Sequence, residues 1–250
     1  MGVPAVRRRH IQLRTAVAPD PPDLPVSRGF YTIRPGRLSY RAGLALQQHY
    51  LRAENRPDAD LLILTEHPPT ITLGRKTDPR HLLTSADELQ KKGIEIHQSA
   101  RGGSITYHGP GQLVGYPLID LTRHKRDLHL FLRTLEEVLI AVLRRWDIPA
   151  NRREQSTGVW VGNKKIASIG IGVQGWVSWH GFALNVSTDL NLFQHIVPCV
   201  LQNVQMTSMQ QCLGTAPVPE TLEDALIRQF ADSFAASHMG DYEKQTTTQA

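Results

Sequence analysis

Leu128, Phe131, Leu132, Leu135, Val138, Leu139, Val142, Leu143 and Trp146 recur at steps of three and four residues, which lays one apolar stripe along a helix of about five turns. Asp127, just ahead of the stripe, has the short acidic side chain that suits an N-cap. A helix with one apolar face has to bury it against a second layer. The segments GVWV, KIASIGIGV and HGFALNV that follow are rich in β-branched residues and glycine, as consecutive strands with tight turns would be. Upstream, LSYRAGLALQQHYLRAE has helical periodicity, LLILTE and TITLG read as short strands, and Ser85 with Glu88 forms a capping box at the head of SADELQKKG. Downstream, Thr221 is expected to open an amphipathic closing helix, TLEDALIRQFADSFAASH. No strand–GxGxxG–helix unit occurs, so the reading is α+β, with helices packed on one mixed, mainly antiparallel sheet, and not a doubly wound dinucleotide fold.

Of the 250 residues, 40% are hydrophobic and 20% charged, which suffices for a sizeable core. The Pro- and Arg-rich stretch 1–27 reads as a disordered or transit-like extension, residues 28–238 as a single domain, and the polar residues 239–250 as a tail. The basic start lacks the continuous apolar core of a secretory signal, which leaves an organelle address and a bacterial extension both open. The richest apolar segment, LFLRTLEEVLIAVLRRW, is broken by charges, so no membrane span is expected. Two cysteines without a CxxC pair fit a reducing, cytoplasmic setting. A formal charge of +5 and a pI near 9.4 favour encounter with an acidic macromolecule. The basic residues are not interleaved with aromatics as in nucleic-acid modules, so an acidic protein explains the surplus as well as a nucleic acid does. The histidines lack ligand spacing, and GxSxG, GxxxxGK[ST] and HExxH are absent, which argues against metalloprotease, P-loop and serine hydrolase chemistry.

Three segments are candidates for chemistry. In RGGSITYHGPGQLVGY, Arg101 to Tyr116, five glycines let backbone approach a ligand closely. Hairpin turns alone would account for the glycines, but not for Arg101, Thr106, Tyr107, His108 and Gln112 crowded among them. In GVWVGNKKIASIG, the turn delivers Lys164 and Lys165 to the start of a strand, where neighbouring side chains point to opposite faces. Turn lysines are ordinarily solvated, yet one of this pair can face a cleft. Cys199 sits between Pro198 and Val200 after an apolar run. A lone cysteine is ordinarily a small buried hydrophobe, the reading given to Cys212, and a nearby cation is what would make Cys199 reactive.

Together these segments, in this order and with HGFALNV between the lysines and Pro-Cys, resemble the lipoyl(octanoyl) transferase family over roughly Leu38 to Met209. The resemblance implies the fold of biotin and lipoyl protein ligases, with the acyl chain held between the sheet and the glycine-rich loop. By position it places the nucleophilic, acyl-thioester cysteine at Cys199. It places the essential lysine, which lowers the thiol pKa and acts as general base, at Lys165. Substrate contacts fall on Arg101, Gly102, Gly103, Ser104, Ile105, Thr106, Tyr107 and His108, on Ser168, Ile169 and Gly170, and on Gly181, Phe182 and Ala183. Arg153 also matches a recurrent family arginine.

The activity so implied moves an octanoyl group from octanoyl-acyl carrier protein to a lysine of lipoyl domains, in 2-oxoacid dehydrogenases and the glycine cleavage H protein, through a thioester on the enzyme. No cofactor and no metal are implied, and nucleic acid becomes unnecessary as a partner. The family usually reads Pro-Cys-Gly where Val200 stands here, and a β-branched residue is costly at a positive φ. Two other readings compete: an ATP-dependent lipoate or biotin ligase on the same fold, in which the cysteine is dispensable, and an inactive scaffold that binds acidic carrier domains.

Overall fold

The computed structural model describes residues 29–154, 156–198 and 204–242. The expected extension at 1–27, and Cys199 with Val200, lie outside them. In chain order the first half comprises β1 (Gly29–Arg37), α1 (Tyr40–Leu51), β2 (Asp60–Glu66), β3 (Thr70–Leu73), α2 (Ala86–Lys91), β4 (Glu95–Gln98), β5 (Ile105–His108) and β6 (Gln112–Leu118). The second half comprises α3 (Leu128–Arg144), β7 (Ala150–Arg153), β8 (Ser156–Val161), β9 (Lys164–Gln174), β10 (Val177–Asn185), β11 (Gln205–Met206), α4 (Met209–Leu213), α5 (Pro219–Phe234) and β12 (Ser237–Asp241).

Local chemistry sets the helix starts. The Asp127 carboxylate accepts from the amides of His129 and Leu130 at 2.9 and 3.0 Å, and Ser85 with Glu88 closes the expected capping box. The closing helix begins at Pro219 and not at Thr221, because proline, with φ fixed and no amide to satisfy, suits a first helical turn. The ordered body also runs beyond residue 238. β12 pairs in parallel with β1, and the Tyr242 amide donates to the Thr32 carbonyl at 2.7 Å.

The strands form two sheets. The large one has the order β12-β1-β2-β6-β10-β9-β8-β7, with β11 added beside β9. Its β2-to-β7 part is antiparallel throughout, while β1 runs parallel to both of its neighbours. The small sheet has the order β4-β3-β5. This is the α+β architecture expected from the pattern. α3 and α5 pack Leu135, Leu139, Val142, Leu226 and Phe230 against Phe30, Leu62 and Leu184 of the large sheet. Burying each such side chain contributes about 1.5–3 kcal/mol. α1 contributes Tyr50 to a second cluster with Ile63, Val114 and Tyr116, and the small sheet gathers Ile71, Leu89, Tyr107 and Phe193. The α3 stripe is not buried to its end, since Leu128 in the first turn is exposed.

Candidate active site

A cavity of about 490 Å³ opens between the glycine-rich loop and the strands β9 and β10, a size within the roughly 300–1,000 Å³ usual for small-ligand sites. Every segment singled out in the sequence contributes to its wall: residues 101–106 and His108, Lys165, residues 168–170, and residues 181–183. Pro198, the residue before Cys199, lines it too. Tyr107 does not. Alternation along β5 turns Thr106 and His108 toward the cavity and Tyr107 away. Tyr107 packs edge-on to Phe193, with centroids 5.4 Å apart, and burial pushes its phenol up to about 12.

Two glycine contacts bring the walls together. The Gly102 amide donates to the Ile171 carbonyl of β9 at 2.8 Å, and a Cβ on the facing Gly170 would stand only 2.8 Å from the Gly102 carbonyl oxygen. A Cβ on Gly181 would come within 2.6 Å of the Pro117 ring. On its outer side the loop is held by the amides of Arg75 and Lys76, which donate to the carbonyls of Arg101 and Gly103 at 3.1 and 3.0 Å.

From this loop a chain of hydrogen bonds crosses the molecule. Arg101 donates through Nη2 to the Thr72 carbonyl (2.7 Å) and hydroxyl (2.9 Å). The Thr72 hydroxyl lies 3.3 Å from His108 Nε2, and His108 Nδ1 lies 2.8 Å from Gln112 Oε1. Gln112 Nε2 donates to Asn185 Oδ1 at 2.9 Å, and Asn185 Nδ2 donates to the Thr207 carbonyl at 3.0 Å. The Thr207 amide in turn donates to the carbonyl of Lys165 at 2.9 Å. Because Gln112 spends its amide nitrogen on Asn185, its oxygen must accept, so His108 carries its proton on Nδ1 and takes the Thr72 hydroxyl proton on Nε2. A neutral His108 agrees with this: burial first, then the charges of His67 and Arg101, lower its pKa to about 3. His180, across the cavity, is lowered to about 3 by burial and then by Arg101 and Arg75. Its Nε2 has no hydrogen-bond partner among the described residues. His67, lowered by burial, holds Tyr116 Oη at 2.6 Å.

Lys165 is 3% exposed, while Lys164, on the opposite face of the strand, is open to solvent. Lys165 Nζ donates to the Thr157 carbonyl at 2.9 Å and stands 5.3 Å from the Trp160 ring centre. The Arg153 guanidinium lies over the same ring at 4.6 Å and donates to Asn163 at 2.9 Å. Arg153 therefore braces Trp160 and takes no part in the cavity wall. Gly158 makes room for the lysine stem: at φ +128° it holds a conformation rare for side-chain-bearing residues, and a Cβ there would press on Lys165 Cε. Its amide donates to Glu136 Oε1 at 3.0 Å. Glu136 is a fully buried carboxylate that also pairs with Arg133 at 2.7 Å and Arg152 at 3.3 Å. Met206 of β11 pairs with Lys165, so the described chain returns to Lys165 soon after residue 203. Cys199 itself is outside the described residues. Cys212, expected as a buried hydrophobe, is exposed on α4.

The sequence did not single out Glu136, Asn185, Thr72 or His180 as site residues. Of these only Glu136 leaves a trace in the pattern, a carboxylate next to Leu135 of the apolar stripe that would need a partner if buried, and the sequence does not say which.

A buried lysine and two neutral histidines around a mainly apolar cavity, walled on one side by a glycine-rich loop, form a candidate site with room for a small ligand. The comparisons narrow this class. Residues 39–231 match the lipoyl protein ligase A/B catalytic domain. The Octanoyltransferase of Gloeobacter violaceus is 46% identical over 186 residues, covering 74% of this chain and 82% of the relative. That of Solibacter usitatus is 46% identical over 200 residues, covering 80% and 90%. Among solved structures, lipoate-protein ligase A bound with ATP superposes with a TM-score of 0.73 at 18% identity, covering 88% of this chain and 90% of that one. A bipartite lipoate protein ligase from Thermoplasma acidophilum gives 0.72 at 18% identity, covering 87% and 88%. At such identity these two carry the fold alone. The chain belongs to the lipoyl protein ligase A/B catalytic domain family.

Proposed function

We propose that this protein is an acyltransferase that moves an octanoyl group from octanoyl-acyl carrier protein to a specific lysine of lipoyl domains, through a thioester on Cys199. The observation that carries the reading is the placement of Lys165, buried in the wall of a cavity that Pro198, next to Cys199, also lines. The octanoyltransferase relatives at 46% identity support the acyl chemistry and the chain length.

In the first half-reaction the Cys199 thiolate attacks the carbonyl carbon of the donor thioester. The bond to the carrier's sulfur breaks, and that sulfur leaves with a proton. In the second, the acceptor amine attacks the acyl-enzyme, a C–N bond forms, the Cys199 sulfur leaves, and the surplus amine proton passes to a base. A cation beside a thiol favours the thiolate, and a lysine ammonium can lend its proton to one leaving sulfur and recover one from the amine. Lys165 serves both halves. Gly102, Gly103 and the β9 and β10 backbones position the acyl chain along an apolar wall, and backbone amides there are suitable donors to the developing oxyanion. Work in a reducing cytoplasm, which keeps the thiol available, belongs to the same proposal.

An ATP-dependent ligase is the alternative on this fold. Incubation of the protein with octanoyl-acyl carrier protein and an unmodified lipoyl domain, without nucleotide, separates the two. The transferase reading expects octanoylated domain and parallel-line, ping-pong kinetics. Product that appears only with ATP and a carboxylic acid would replace it with the ligase.

A further inference from the structure

One rim of the cavity combines positive charge with exposed apolar surface. The loop before α3 reads Arg123-His124-Lys125-Arg126. Two of these groups are spent internally: Arg123 donates to the Asp58 carbonyl at 2.7 Å, and His124 lies 3.0 Å from the Asp60 carboxylate. Lys125 and Arg126 are exposed. Asp127, the acid beside them, is turned onto the amides of α3. Next comes Leu128, which lines the cavity and is 41% exposed.

Trp176 adjoins this loop. It forms the tip of the β9–β10 hairpin with Gly175, and both residues have positive φ, 64° and 55°. Such a two-residue turn favours Asn and Gly, and a bulky side chain there is strained. Burial does not recover the cost, since Trp176 is 39% exposed. Arg126 lies over its ring at 5.6 Å, and the Trp176 carbonyl accepts from the Leu121 amide at 2.9 Å, which ties the tip to the loop. Arg75 and Lys76, also exposed, add positive charge, and Lys76 lines the cavity.

We infer that Lys125, Arg126 and Trp176, together with the Leu128 rim, form the docking face for the acidic carrier domain that delivers the acyl thioester. The inference rests on the acyl-transfer reading above and adds the surface through which the donor is recognised. Cations steer an acidic domain, tryptophan and arginine are among the residues enriched at interface hot spots, and Leu128 offers apolar footing to an acyl chain entering the cavity. A lysine-presenting acceptor gains less from this rim, because its reacting group is itself cationic.

The test compares two donors: octanoyl-acyl carrier protein, and octanoyl-pantetheine, which carries the same thioester without the acidic domain. The variants are Arg126→Glu, Lys125→Glu and Trp176→Asn, the last chosen because asparagine tolerates the positive φ of the turn. Acylation by the carrier-borne donor is expected to slow by about tenfold or more, with a shallower salt dependence. Acylation by octanoyl-pantetheine should stay within about twofold of wild type, since surface substitutions away from the chemistry are usually near neutral. An equal loss with both donors would overturn the proposal, as would no loss with either. A defect confined to transfer onto the lipoyl domain would assign the face to the acceptor and overturn it too. Wild type that takes up no acyl group from either donor would sink the acyl-transfer reading itself.

Discussion

Arg101 and Lys165 are both buried cations in the wall of one cavity, yet they are built to opposite purposes. Arg101 lies across β3 with its planar fork committed to the Thr72 carbonyl and hydroxyl and to the Gly102 carbonyl. Burial keeps His108 and His180 neutral, and the Arg101 charge adds to that effect. Lys165 ends in a compact ammonium directed at the Thr157 carbonyl beside the Trp160 face. A guanidinium fixes geometry and does not give up its proton, whereas an ammonium can exchange one. The first fastens the glycine-rich loop; the second is the group that the proposed mechanism uses for proton transfer.

The largest test of this difference is to exchange the two chemistries. Lys165→Ala and Lys165→Arg are both expected to slow acyl uptake by about 10²–10⁴, because arginine keeps the charge but does not give up a proton to the leaving sulfur. Single-turnover acylation rates measure it. Arg101→Lys should instead act mainly on KM, through a loosened loop. If Lys165→Arg retained wild-type rates, the proton-transfer role would be lost and only the charge would matter.

A smaller effect should come from the support around the lysine. Gly158→Ala places a methyl group against Lys165 Cε at a φ of +128°, and a displacement of about 1 Å costs up to roughly 10²-fold in rate. The acyl site should still fill, more slowly. Next in size is the relay. Asn185→Ala removes the donor to the Thr207 carbonyl and one of the two acceptors of Gln112 Nε2, which keeps the Tyr107 carbonyl at 3.2 Å, for a cost of about 1–3 kcal/mol in denaturant unfolding. Asn185→Asp, which keeps one acceptor, should lose less of the activity.

The smallest effect, near neutral pH, is the acid sensitivity of the neutral histidines. His108 and His180 have folded pKa values of about 3, against about 6.5 for an unfolded histidine. Above pH 6.5 both states are neutral and the pH matters little. Between pH 6.5 and 3 the unfolded chain takes up protons that the folded one refuses, so stability falls as pH falls, by up to about 1.4 kcal/mol per unit for each residue. Thermal unfolding of wild type between pH 7 and 4.5 should show this slope, and His180→Leu should flatten it. An unchanged slope would mean that His180 is not held neutral.

Much of the site was legible because its residues sit close together in sequence: the glycine-rich loop, the two lysines and the HGFA strand needed only strand alternation to be assigned to a wall. The same alternation removes Tyr107, a distinction that naming a continuous stretch could not make. What stayed hidden is long-range. Asn185 reads as the end of an apolar strand until Gln112 and Thr207 are brought to it, and Glu136 reads as one more charge on a helix until the Gly158 amide meets it. The α3 and α5 layer was predictable from periodicity. β12 was not, because its residues carry no apolar alternation and are ordered by pairing with β1.

The most direct measurement is the intact mass of the protein after mixing with octanoyl-acyl carrier protein without ATP, for wild type, Cys199→Ala and Lys165→Ala. The account predicts one octanoyl adduct on wild type that passes to a lipoyl domain, none on Cys199→Ala, and greatly slowed uptake by Lys165→Ala. An adduct that forms equally well without Cys199, or octanoylation of the lipoyl domain with no enzyme-bound intermediate, would contradict it.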